Sequence, residues 1–208
     1  MSVEHVIPKS LFSKNNRQAM VTVPSCVECN NSFGKDVEYF KNMILIREDV
    51  VNQPTAKYLV DTVSRALTRD HKMKSTKELL ETTKDVDVIT PAGIYLGKKK
   101  TYKIDIETIC RVVERSIRGL YYSHTKQVVP LYYTIRVVEK SLFEDLNDHD
   151  KSFIIGVESY LKNIQEHSLG NGTVKYKFIV PEANDPRSIW KVAFYKNVIF
   201  WGGITNPR

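Results

Sequence analysis

The sequence predicts an α+β protein: a short strand–loop–strand–helix unit at the N-terminus fused to a larger mixed α+β domain. Three observations lead there. Apolar stripes of helical period are interspersed with short β-branched runs in no regular strand–helix–strand alternation. Tight-turn pairs such as Lys196-Asn197 join neighbouring strand-like runs. No internal repeat or low-complexity segment divides the chain.

Taken in order, residues 3–8 and 20–24 are β-branched and bounded by turn formers, so they read as two short strands. The polar run Ser13-Lys14-Asn15-Asn16-Arg17 separates them as a loop. From Cys26 to Arg47, Phe33, Val37, Phe40, Met43 and Ile44 recur at helical spacing. Gly34 lies inside that stretch at a cost of roughly 1 kcal/mol, which predicts a close backbone approach or a kink. A helix follows over 55–69, with Leu59, Val63, Ala66 and Leu67 on one side, then a polar helix over 72–84. Strands are predicted at 87–90, 93–96 and 101–104, joined by Pro91-Ala92-Gly93 and by Gly97-Lys98-Lys99-Lys100. The clearest helix puts Ile106, Ile109, Cys110, Val113, Ile117, Leu120 and Tyr121 on one stripe. A strand at 131–138, a helix at 152–165 and strands at 174–180, 189–195 and 198–201 complete the chain. We place the unit boundary at residue 48, leaving 49–208 as an accessory α+β domain available for substrate binding, dimerisation or a partner subunit.

The 208 residues are 42% hydrophobic and 26% charged, an ordinary globular composition. No apolar run approaches the roughly 20 residues that span a bilayer, and the N-terminus lacks a signal-peptide core, so a cytoplasmic protein without a membrane partner is expected. A net charge of +7 and a pI near 9.2 favour a polyanionic partner. That charge is spread along the chain without a basic tail, so folding must assemble any binding surface. Three cysteines do not make a disulfide framework; Cys26 and Cys29 form half of a zinc site, which needs four ligands, and Cys110 lies on an apolar stripe as core.

Chemistry concentrates near the N-terminus. Glu4-His5-Val6-Ile7-Pro8-Lys9-Ser10 precedes Cys26-Val27-Glu28-Cys29-Asn30-Asn31, with Gly34-Lys35 just beyond. A histidine on the first strand can face the first helical turn across the groove between them. Oxygens from Glu4 and Asn30 suit a hard divalent cation such as Mg²⁺, with waters completing its shell. His5 can then take a proton from a water aimed at a phosphodiester, while the cation stabilises developing charge.

This order of residues resembles the HNH endonuclease family, whose fold is the ββα-metal finger, over residues 2–39. The resemblance implies DNA cleavage, with Glu4 as metal ligand, His5 as general base and Asn30 as the second ligand. Asn31 is the alternative for that last role. Gly34-Lys35 matches the glycine and lysine that often follow. Family members commonly carry another Cys-x-x-Cys before the acid–histidine pair, completing a Zn²⁺ site of which these residues supply Cys26 and Cys29. They also use an inter-strand asparagine to orient the histidine; Asn15 and Asn16 lie early for that role. Such modules occur in restriction and phage-defence systems, mobile elements and toxins. RNA remains an alternative substrate to DNA.

Lys9, Lys35, Lys98, Lys99 and Lys100 are candidate phosphate contacts, the last three at an expected hairpin tip that otherwise reads as a solvated loop. Arg65, Arg69, Lys72, Lys74 and Lys77 form a second basic stretch. His124 is expected to meet a helix dipole structurally, and His71, His149 and His167 are read as structural. Trp190, Phe194, Tyr195, Phe200 and Trp201 read as core or an oligomer interface. Two other functions fit the same residues: a non-catalytic nucleic-acid-binding protein that kept the finger, and a zinc-stabilised interaction module.

Overall fold

A five-stranded antiparallel sheet with helices on both faces organises the C-terminal part of the chain. A computed structural model describes residues 2–17, 20–67, 81–182 and 185–206. Strands β1 (Ser2–His5) and β2 (Thr22–Ser25) pair antiparallel, followed by helices α1 (Val27–Ser32), α2 (Gly34–Leu45), α3 (Glu48–Val51) and α4 (Lys57–Leu67). Strands β3 (Lys84–Ile89) and β4 (Tyr95–Thr101) form a hairpin. Helix α5 (Ile106–Thr125), strand β5 (Thr134–Glu139) and helix α6 (Asp148–Leu161) lead into β6 (His167–Leu169), β7 (Val174–Ile179), β8 (Ser188–Phe194) and β9 (Val198–Thr205). The large sheet runs β5-β9-β8-β7-β6.

Strand alternation explains the layering. Trp190, Val192 and Phe194 of β8 face the larger core, where they meet Phe40 and Ile44 of α2 and Val113, Ile117 and Leu120 of α5. On the other face, Trp201 of β9 packs with Ile154, Val157 and Leu161 of α6. The C-terminal aromatics are therefore core: Trp190, Phe194 and Tyr195 are fully buried, with Phe200 and Trp201 nearly so. Val6, Ile7, Leu11 and Phe12 join the same larger core, so the N-terminal unit is packed onto the rest of the chain.

Helix ends follow capping chemistry. The Asp105 carboxylate accepts from the Thr108 N–H at 3.0 Å to start α5, and Lys126 closes that helix in the left-handed region at φ 61°. Asn147 caps α6 through the Asp150 N–H at 2.9 Å. A buried ion pair ties the layers: Arg47 reaches Glu139 at 2.8 Å, and Glu139 is 2% exposed.

Two expectations change. The helix expected across 26–47 breaks at Phe33. Gly34 then begins α2 with open space where a Cβ would stand, so the break is a kink without close approach. In place of separate strands at 93–96 and 101–104 there is one strand, β4, with Lys98, Lys99 and Lys100 along its length, the turn at 90–94, and 102–104 outside any strand. Gly97, at φ 118°, absorbs the register shift opposite Val88 and Ile89, and the lysines beyond it pair in regular register with Asp87, Val86 and Asp85. The polar helix expected over 72–84 lies largely outside the described residues, as do His71, Arg69, Lys72, Lys74 and Lys77.

Candidate active site

The β1–β2 ribbon sets Glu4 opposite Val23 and His5 opposite Thr22. It lies against α5 because Gly119 has no side chain: a Cβ there would stand 2.8 Å and 2.9 Å from the two Val6 methyls. Glu4 and Val6 share a strand face, and Arg115 and Gly119 share a helix face four residues apart. The contact that seats Val6 on Gly119 therefore brings Glu4 to Arg115, 111 positions away.

That pair is bidentate. Arg115 Nε donates to Glu4 Oε1 at 2.5 Å and Nη2 donates to Oε2 at 2.6 Å. Nη2 also donates to the Cys29 carbonyl at 2.9 Å, and the guanidinium carbon stands 4.4 Å from the centre of the Phe33 ring. One arginine thus joins β1, α1 and the α1–α2 kink. Arg115 was not singled out in the sequence. Its only signal was its place in the basic row Arg111, Arg115, Arg118 on one helix.

Glu4, His5 and Asn30 line one open cleft of about 280 Å³, with Lys9, Ser10 and Arg115. The Asn30 Nδ2 points to the Val3 carbonyl at 3.5 Å and to Ser2 Oγ at 3.4 Å. A carbonyl can only accept, so the amide nitrogen faces β1 and the amide oxygen is turned elsewhere. Burial holds His5 below its ordinary pKa, and the positive charges of Lys9 and Arg17 lower it further. Among the described residues its Nδ1 is buried without a hydrogen-bond partner, as are Ser10 Oγ and Arg17 Nε. Among the described residues no orienting asparagine reaches this nitrogen; Asn16 instead accepts from the Asn171 amide at 3.0 Å.

Other sequence candidates lie outside this cleft. Asn31 and Lys35 are exposed and do not line it, although Gly34 does. Nor do Lys98, Lys99 and Lys100: Lys99 pairs with Glu48 at 2.9 Å, Lys100 meets Asp85 at 3.5 Å, and Lys98 stands opposite Asp87. Cys26 and Cys29 are joined to each other at a Cα separation of 5.3 Å, and Cys26 Sγ caps α1 by accepting from the Cys29 N–H. Among the described residues no group of three or more His, Cys, Asp or Glu side chains is gathered for a metal. Zinc ligation would need this pair reduced and further ligands supplied. Cys110 is largely buried, and burial pushes its thiol up to about 12.

His124 lies in the last turn of α5. Burial and neighbouring His167 hold its pKa below the ordinary value, and it shares a hydrogen bond with the Tyr176 hydroxyl at 3.0 Å. His167 stacks on the Tyr176 ring.

The donor set suits a hard divalent cation in kind. Glu4 would offer carboxylate oxygen once Arg115 releases it and Asn30 its amide oxygen once the amide turns, and Mg²⁺ ordinarily takes its remaining ligands from water and phosphate. No helix among the described residues is long and apolar enough to cross a membrane. No family model matches the chain, and neither the curated proteins nor the solved structures searched contain a match.

Proposed function

We propose that this chain is a metal-dependent endonuclease of HNH type that hydrolyses phosphodiester bonds in DNA. What supports the reading most is that Glu4, His5 and Asn30, drawn from a strand and a helix far apart in sequence, line one open cleft. Glu4 and Asn30 would hold Mg²⁺ or a similar ion, which supplies Lewis-acid stabilisation of charge developing on the phosphate oxygens.

The chain's own residues account for the rest. His5, kept neutral by burial and by two nearby cations, is competent to accept a proton from the attacking water at neutral pH. Lys9 on the cleft rim offers charge to the substrate backbone without reading its sequence. Gly34 leaves the rim open where a side chain would intrude.

The pairing of both Glu4 oxygens with Arg115 favours a second reading, in which the site binds nucleic acid without cutting it. Cleavage of supercoiled plasmid in Mg²⁺, Mn²⁺ or EDTA separates the two, comparing the wild type with His5→Ala and Asn30→Ala. Nicking that needs the metal and vanishes in both variants supports the nuclease. Salt-sensitive binding indifferent to Mg²⁺ and to His5→Ala, with intact plasmid throughout, supports the binding protein and rejects the nuclease.

A further inference from the structure

Among the described residues Glu4 is the only acidic one lining the cleft, and its partner there is a cation. Lys9 lines the same cleft, and Arg17 is close enough to act on His5. A divalent cation entering this site alone meets one carboxylate already neutralised by Arg115 and further positive charge around it. Coulombic repulsion opposes its binding there. A phosphodiester changes that balance, because it brings the negative charge the protein does not supply.

The guanidinium is suited to exchange partners. Its planar fork fits phosphate oxygens as well as carboxylate oxygens. Phe33 supports its face whichever anion it holds. Arg115 and Glu4 also both line a second cleft, of about 320 Å³, together with Val23, Arg118 and Tyr122. The Glu4–Arg115 pair is thus common to the lining of both clefts.

We propose that Arg115 is an exchangeable partner of Glu4. It pairs with the carboxylate in the free protein and turns to the substrate phosphate when nucleic acid enters, so divalent cation and nucleic acid bind cooperatively. The inference rests on the metal-dependent nuclease reading. By linkage, whatever nucleic acid adds to cation affinity, the cation adds to nucleic-acid affinity.

The test measures Mn²⁺ affinity by electron paramagnetic resonance in full-length His5→Ala protein, which leaves DNA uncut, with and without a short duplex. With Arg115 present, the duplex tightens Mn²⁺ binding by about tenfold or more. Adding Arg115→Gln tightens binding of Mn²⁺ alone by a similar factor and cuts the duplex effect to under about threefold. Glu4→Gln abolishes the site in both conditions. Circular dichroism melts check folding. Should the Gln variant melt too low, Arg115→Lys is read instead: it keeps the charge, so Mn²⁺ alone stays weak, but it lacks the fork, so the duplex effect falls. Unchanged or weaker Mn²⁺ binding in Arg115→Gln would make Arg115 a fixed support for Glu4 and overturn the exchange, leaving the nuclease reading intact. Absence of Mn²⁺ binding in every protein, with wild-type plasmid uncut, would overturn both.

Discussion

Gly119→Ala isolates the contact that seats the candidate catalytic strand. A Cβ at this position would stand 2.8, 2.9 and 3.2 Å from three Val6 atoms, and Val6 is 5% exposed. Both methyls and the β-carbon are involved, so rotating the Val6 side chain cannot relieve the overlap; the β1–β2 ribbon must move from α5. Overpacking of this kind costs about 1–3 kcal/mol. Alanine in place of glycine within a helix returns about 1 kcal/mol. The expected net loss is about 1 kcal/mol, read as a lower midpoint in urea or a melting shift of about 2–4 °C. Val6→Ala alone should cost about 2 kcal/mol through lost methyls and a residual cavity. In the double variant the new methyl occupies part of that cavity, so the two losses should fall short of additive by about 1 kcal/mol or more. Plasmid cleavage should drop in Gly119→Ala and recover partly in the double variant, because moving Val6 also moves Glu4 and His5. If Gly119→Ala instead raises stability by the helix-propensity amount and leaves cleavage unchanged, the ribbon is not seated on α5 as described.

The remaining predictions concern charge and access. Arg47→Met strands the Glu139 carboxylate, 2% exposed and also accepting from Ser141, and should cost about 3–5 kcal/mol in urea unfolding; a loss under about 1 kcal/mol would mean the pair adds little. Because the His5 pKa is lowered from 6.5, its imidazole is neutral at pH 7, so kcat/KM should stay flat there and fall only as pH drops through the lowered value. Folding stability from this group follows the same direction: protonation is harder in the folded state, so stability declines as pH falls below 6.5. Lys9→Ala should raise the His5 midpoint seen by NMR, and an unchanged midpoint would remove Lys9 as a cause. Gly34→Ala meets no atom within 4 Å, so it should stabilise the start of α2 by about 0.5 kcal/mol while reducing cleavage by crowding the rim; unaltered cleavage would show that substrate does not pass over it.

The local features were legible before the fold was. Periodicity located the long helix, now Ile106–Thr125, and the β7, β8 and β9 strands, because half-buried elements repeat their apolar faces at the spacing of the backbone. Residue type and order singled out Glu4, His5 and Asn30, since acid, imidazole and amide groups near two short strands and a helix are chemically conspicuous. Local rules failed where one residue changed the outcome: Gly97 took up an irregularity within β4 instead of opening a turn, leaving the lysines in regular pairing, and Phe33 broke a helix whose apolar period continues. Arg115 could not be found this way. Its meaning depends on a glycine one helical turn further on and a valine two residues beyond Glu4, brought together across 111 positions by packing. Sequence by itself determined which groups are available and which local elements carry them, because side-chain chemistry and backbone period are local properties. Tertiary structure alone decided that a cation from α5 neutralises the Glu4 carboxylate in the cleft, because that pairing follows from how closely two distant segments can approach.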